Sequence, residues 1–196
     1  MRSRPMVLAA LFALAGVGEA PAQERIELKP RSYRQFDLTL PAERFLPVGD
    51  GIPVPHAGGD RFAARLDGTA LLLDADGDGT AETRVAGEET AGVRTAFTRL
   101  TGTSPDGNPL RYAIRLRDAG AGWEWAASGA VTGKIGTTRI SILDQNGNGR
   151  FSDVGEDAMI VGKSAVASFL SDVVSIGGVL HRLKVDRDGA AMEVTP

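Results

Sequence analysis

Two ten-residue stretches set oxygen-bearing side chains at alternate positions and follow them with a glycine. Leu71 to Thr80 reads LLLDADGDGT, and Ser141 to Arg150 reads SILDQNGNGR. In each, a largely apolar run precedes Asp or Asn at relative positions 1, 3 and 5, with Gly at position 6. Ca²⁺ takes six to eight hard oxygen ligands at about 2.3–2.6 Å. A chain that curls with alternate side chains turned inward delivers three of them from five residues. Glycine at position 6 then permits the bend that brings the next carbonyl within reach. The expected ligands in loop 74–82 are Asp74, Asp76, Asp78, the Thr80 carbonyl and Glu82. In loop 144–157 they are Asp144, Asn146, Asn148 and the Arg150 carbonyl, completed by Asp153 or Asp157.

Charge separates the two loops. Four carboxylates lie between residues 74 and 82 with no basic residue among them. Their mutual repulsion at the surface is worth about 1 kcal/mol per close pair, which a cation would relieve. The second loop substitutes neutral amides and carries Arg150, so weaker binding is expected there.

Both segments resemble EF-hand-like calcium loops of the DxDxDG group, which includes dockerin and thrombospondin type 3 repeats. The resemblance covers about ten to fifteen residues at each site. It implies calcium ligation by the matching side chains and carries no implication of enzymatic activity. Position 12 is a bidentate Glu in a full EF-hand loop, but it is Val85 in the first segment and Gly155 in the second. No amphipathic helices flank either loop, so strand–loop–strand sites are expected. Asp144 to Val161 is also similar to a pattern met in uncharacterised exported bacterial proteins. There a strand leads into DxNGNG, then an aromatic, an acidic residue and a further Asp. That likeness bears on the site and the compartment alone.

Other motifs carry less. Asp-Gly and Asn-Gly also make ordinary hairpin turns, and Asp or Asn can bond its own backbone in an Asx turn. Asp186-Arg187-Asp188-Gly189 holds part of the calcium pattern and reads as a plain turn. Gly162-Lys163-Ser164 ends like a phosphate-binding loop, but the required upstream glycine is Asp157 here. His56 and His181 are the only histidines, too few for an ordinary catalytic zinc site. His181 lies in an alternating segment, LHRLKV, whose polar positions are expected to face solvent. No Gly-x-Ser-x-Gly elbow supports a hydrolytic triad. Trp123 and Trp125 are two apart and share a strand face, as a core pair or as a sugar-stacking platform.

The elements that must hold the loops read as short strands between turns. Arg34 to Leu40 and Arg111 to Arg117 alternate polar and apolar residues at period 2. Ala70 to Leu73, Ala91 to Leu100, Trp123 to Val131, Thr137 to Leu143 and Val179 to Val185 are further strand candidates. Asp-Gly pairs at 50–51, 67–68, 78–79, 106–107 and 188–189 punctuate them. Gly49 to Gly59 is rich in Gly and Pro and reads as a loop. Ala165 to Val174 is the one stretch with helical character, and its β-branched tail leaves strand open. The expected fold is mostly β: a single-domain β-sandwich or open barrel over residues 23–196 with at most one short helix.

Composition narrows the function class. The chain has 196 residues, 42% hydrophobic and 24% charged, with a formal net charge of -3. That balance fits a folded domain and supplies no positive field to hold phosphates, so no nucleic-acid partner is expected. Residues 1–22 read as a secretory signal peptide. Arg2 and Arg4 precede the apolar run Met6 to Val17, and Ala20-Pro21-Ala22 supplies small residues for cleavage near Ala22. Twelve apolar residues are too few to cross a bilayer, and without cysteine there is no lipid-modified cysteine anchor, disulfide or thiol nucleophile. No membrane anchor is expected after cleavage, and the destination is the periplasm or the extracellular space. The expected function is an exported calcium-binding β-domain with a structural or binding role toward a protein or glycan partner. The alternatives are a secreted hydrolase or carbohydrate-active enzyme with structural calcium, and a lectin-like module using Trp123 and Trp125.

Overall fold

The computed structural model describes residues 22–34 and 36–196, so the signal-peptide segment up to residue 21 lies outside the described residues. Among the described residues every regular element is a β-strand, and all paired strands run antiparallel. One four-stranded sheet brings the first and last strands together: β1 (Glu24–Glu27) lies beside β18 (Ala191–Thr195), followed by β17 (Val179–Val185) and β16 (Val173–Ile176). A five-stranded sheet orders β3 (Leu46–Pro47), β11 (Trp123–Ala127), β10 (Pro109–Asp118), β9 (Val93–Thr103) and β8 (Glu88–Thr90). A second five-stranded sheet orders β15 (Ser168–Phe169), β14 (Ala158–Val161), β13 (Thr138–Leu143), β12 (Gly129–Ile135) and β2 (Lys29–Ser32). The fourth sheet is β4 (Gly51–Ile52), β5 (Phe62–Asp67), β6 (Ala70–Leu73) and β7 (Thr83–Val85). No barrel closes; the arrangement is sandwich-like, as the strand spacing predicts.

One apolar cluster draws on all four sheets, through Phe62 and Leu73, Ile114 and Trp125, Ile140 and Ile142, and Met192 and Val194. Alternation in β10 explains how the strands reach it, since Ile114 and Leu116 point inward while Arg115 and Arg117 point out. A smaller cluster of Ala130, Leu143, Ala158, Ile160 and Ala167 sits on the other face of the β12–β14 ladder, covered by Tyr33, Phe36, Leu38 and Leu40. The β13 strand is therefore buried on both faces at its C-terminal end.

Several expectations change in detail. Arg34 to Leu40 alternates as read, with Phe36, Leu38 and Leu40 facing one way, but it is not a strand. Its only bridge is a parallel one, Thr39 to Val166, because no neighbouring strand runs alongside to complete a ladder. Trp123 to Val131 divides at Ser128, where the chain passes from one five-stranded sheet to the other. The Ser128 N–H donates to Ala113 O at 2.7 Å and its hydroxyl to Tyr33 O at 2.6 Å. Gly49 to Gly59 is not wholly loop, since Gly51–Ile52 pairs with Ala63 and Phe62. The Ala165 to Val174 stretch takes the strand option in part, contributing β15 and the start of β16. His181 pairs with Val174 and shares the inward face of β17 with Leu183, so this polar residue faces away from solvent while Leu180 is 65% exposed.

Trp123 and Trp125 are both buried, with Trp125 fully enclosed against Tyr112 at a ring separation of 6.4 Å. Neither indole presents a face to a sugar, so the stacking-platform alternative loses its surface. Truncating an enclosed aromatic leaves a cavity as well as lost transfer energy. Trp125→Ala is expected to lower unfolding free energy by about 3–5 kcal/mol, measured by urea denaturation; a loss under 1 kcal/mol would mean the ring is not at the centre of the core.

Candidate metal centre

Both loops are hairpin connections. The first joins β6 to β7 across the Leu73–Thr83 pair, and the second joins β13 to β14 across Leu143–Ala158. In each, the last strand residue is a leucine with no exposed surface, and the chain delivers the next residue, Asp74 or Asp144, into the same depth. Both aspartates are fully buried. A carboxylate there must be solvated by the protein, and the loop's own amides do so.

The two solvation patterns match. Gly77 N–H donates to Asp74 Oδ1 at 2.7 Å and Gly79 N–H to Oδ2 at 3.0 Å. At the second loop Gly147 N–H donates to Asp144 Oδ1 at 2.7 Å and Gly149 N–H to Oδ2 at 2.6 Å. The position-5 side chains also correspond, because Asp78 Oδ1 accepts from Thr80 N–H at 2.7 Å and Asn148 Oδ1 from Arg150 N–H at 2.9 Å. Glycine is required at position 6 of the second loop twice over. Its φ is +76°, and a Cβ there would lie 2.8 Å from Val54 Cα.

In the first loop Asp74, Asp76 and Asp78 each offer a carboxylate oxygen within 4.8 Å of the others, a cluster that could hold a metal ion. Among the described residues no lysine or arginine pairs with any of the three. Glu82 lies on the exposed side, and its carboxyl is held above the ordinary carboxylate value by desolvation and then by the charges of Asp78 and Asp76. The Thr80 carbonyl accepts from Glu82 N–H at 3.1 Å.

The second loop gathers its expected residues differently. Asn146 and Asn148 both turn their amide nitrogens to Asp153 Oδ2, the former at 3.2 Å. Asp157 Oδ2 accepts from Asp153 N–H at 3.0 Å, while its Oδ1 is buried without a hydrogen-bond partner. Sequence left Asp153 or Asp157 as the completing residue; both sit at the loop, Asp157 buried and Asp153 half-buried. Arg150 is exposed and borders a cavity of about 200 Å³ beside Asp60, Asp106 and Asp188. Asp188 is held by Ser104 and Asn108 in a turn with no metal-like convergence, as its sequence suggests.

Sequence reasoning missed two contributors. The Tyr112 hydroxyl donates to Asp144 Oδ2 at 2.7 Å. Burial, with the Asp144 charge beside it, raises the Tyr112 pKa well above 10, so the hydroxyl stays a donor. Its only trace in the sequence is a polar-tipped aromatic at an inward position of an alternating strand. The second is His56, which stacks on Phe62 at 4.1 Å beneath Gly77. Its Nδ1 lies 3.2 Å from Val54 O, and neither histidine bonds a carboxylate among the described residues.

No protein-family model, curated protein or solved structure matches this chain.

Burial raises the Asp144 pKa from 3.8 to about 6, against the donors that lower it. Burial and then the Asp144 charge raise Asp157 from 3.8 to about 8. Without a cation the folded state thus binds more protons than the unfolded chain between roughly pH 4 and 8, and stability falls as pH rises through that window. In excess EDTA the thermal midpoint is expected to drop from pH 5 to pH 8, and Asp157→Asn to remove most of the drop. A level or rising midpoint would rule out burial as the controlling cause.

Proposed function

We propose that the protein is an exported calcium-binding β-domain with a structural or binding role, in which the cation fixes two inter-strand loops. The observation that carries this reading is the unpaired convergence of Asp74, Asp76 and Asp78. Three carboxylates so close repel one another unless a cation sits among them, and all-oxygen donors favour a hard ion such as Ca²⁺. The second loop supports it independently. Its Asp157 Oδ1 is a buried acceptor with no donor, which a cation there would satisfy; Asn146 and Asn148 would join it by turning their amide oxygens in place of the nitrogens that now face Asp153. Export rests on the basic and apolar order of residues 1–22.

Asp76 is the informative position, because its exposed carboxylate makes no hydrogen bond among those described and so has little to do with holding the fold. A site with Kd near 10 μM adds about 2.7 kcal/mol at 1 mM Ca²⁺, a rise of about 5–10 °C in Tm for a chain of this size. The expected result is that rise between excess EDTA and 1 mM Ca²⁺, largely lost in Asp76→Asn. In EDTA the same variant should melt slightly above wild type, since it relieves repulsion. Asn146→Ala reports separately on the second loop. No calcium shift, or an unchanged shift in both variants, would reduce these segments to Asx turns.

A further inference from the structure

A broad concavity lies away from both loops, on the outward face of the five-stranded β3–β11–β10–β9–β8 sheet. It is an open cleft of about 810 Å³ that takes its cationic side from Arg34, Arg84, Arg115 and Arg117. Register explains the concentration of charge. Arg115 and Arg117 are two apart on β10 and project from one face, opposite Phe97 and Thr95 on β9 and Ala126 and Glu124 on β11.

Phenylalanines hold the guanidinium planes. Arg115 stacks on Phe36 with its Cζ 3.7 Å from the ring centroid, and Arg117 stacks on Phe45 at 3.9 Å. Stacking fixes the plane and leaves the N–H edges to bond in that plane, an arrangement suited to planar oxyanions. Acidic side chains equal these arginines in number, and three of the four arginines are ion-paired. Glu43 pairs with Arg115, Glu124 with Arg117 at 2.7 Å, Asp67 with Arg84, and Glu88 stands at the rim. Arg34 has no ion pair among the described residues. The Arg115 side chain is only 19% exposed and its Nε is enclosed without an acceptor. Burial, and next the charge of Arg117, bring its pKa down to about 10. The cleft floor thus holds two ring-stacked arginines, each ion-paired on one side, in a volume of small-molecule size. The remaining wall, through Val85, Ala86, Ala96 and Phe97, is apolar.

We propose that this cleft binds a small organic anion, its carboxylate or other oxyanion head against Arg117 and Arg34 and its apolar body along Val85 and Phe97. Arg115, stacked on Phe36 and paired with Glu43, shapes the floor beneath it. Nothing in this inference depends on calcium at the loops.

The test is an NMR titration of the protein at constant ionic strength with three probes: benzoate, acetate (the head alone) and benzyl alcohol (the body without charge). Benzoate is expected to give saturable shifts confined to amides around Gly87, Ala96 and Phe97, with acetate weaker and benzyl alcohol without effect. Arg117→Gln, at a side chain 43% exposed, should weaken benzoate about tenfold, and Arg34→Gln should weaken it in the same direction. Matching wild-type and variant spectra away from the cleft establish that both variants fold. Equal response to benzyl alcohol and benzoate, no saturation by 20 mM benzoate (about the weakest affinity counted as a site), or unchanged affinity in both variants would overturn the proposal.

Discussion

A carboxylate placed where water cannot reach is the constraint on which the loop architecture depends. Asp74 and Asp144 each follow a buried leucine into the interior, and an ion at that depth is tolerated only when donors surround it. The nearest donors are amides three and five residues further on. To bring both to one carboxylate the chain must curl tightly, which is why Gly77 and Gly79, like Gly147 and Gly149, take positive φ. The curl in turn sets the positions 3 and 5 side chains on one rim. Convergence at the surface follows from satisfaction of an ion in the core.

That curl also joins parts of the molecule that share no ladder. The first loop belongs to the β4–β7 sheet and the second to the β13–β14 ladder, yet both rest on the short segment from Val54 to Gly58. Gly77 packs on His56, and Gly149 packs on Val54 and Pro55. Tyr112 reaches Asp144 from the third sheet. A change in either loop is therefore felt by a shared support, and through Tyr112, Trp125 and Phe151, which stand ring to ring, by the main core.

What the sequence made legible was whatever repeats locally. Period-2 alternation located β10 within a residue or two at each end, and the further strand candidates Ala70–Leu73 and Val179–Val185 matched in full. The spacing of Asp and Asn marked both loops, and the first loop's carboxylates do converge. The misreadings share a cause, namely that alternation reports which side chains are inward but not whether a hydrogen-bonding neighbour exists. Phe36, Leu38 and Leu40 obey the pattern and cover a cluster with almost no ladder. His181 breaks the polar-outward rule because its strand's register is set by Leu183 and Val185. The strands β1 and β2 are short and irregular in polarity, and only distant partners make them strands. The Arg–Phe cleft was invisible for the same reason, since its two aromatic clamps, Phe36 and Phe45, lie 79 and 72 positions upstream of Arg115 and Arg117.

The pairing of β1 with β18 has a consequence for the order in which the molecule assembles. Glu24–Glu27 lies at the edge of its sheet and has no ladder except the one to Ala191–Thr195. β2, just after it, waits for β12. In chain order β1 therefore stays unpaired until Ala191–Thr195 is available, and β2 until β12 is. Contacts of such wide sequence separation close slowly. Closure of these two sheets therefore comes late in folding.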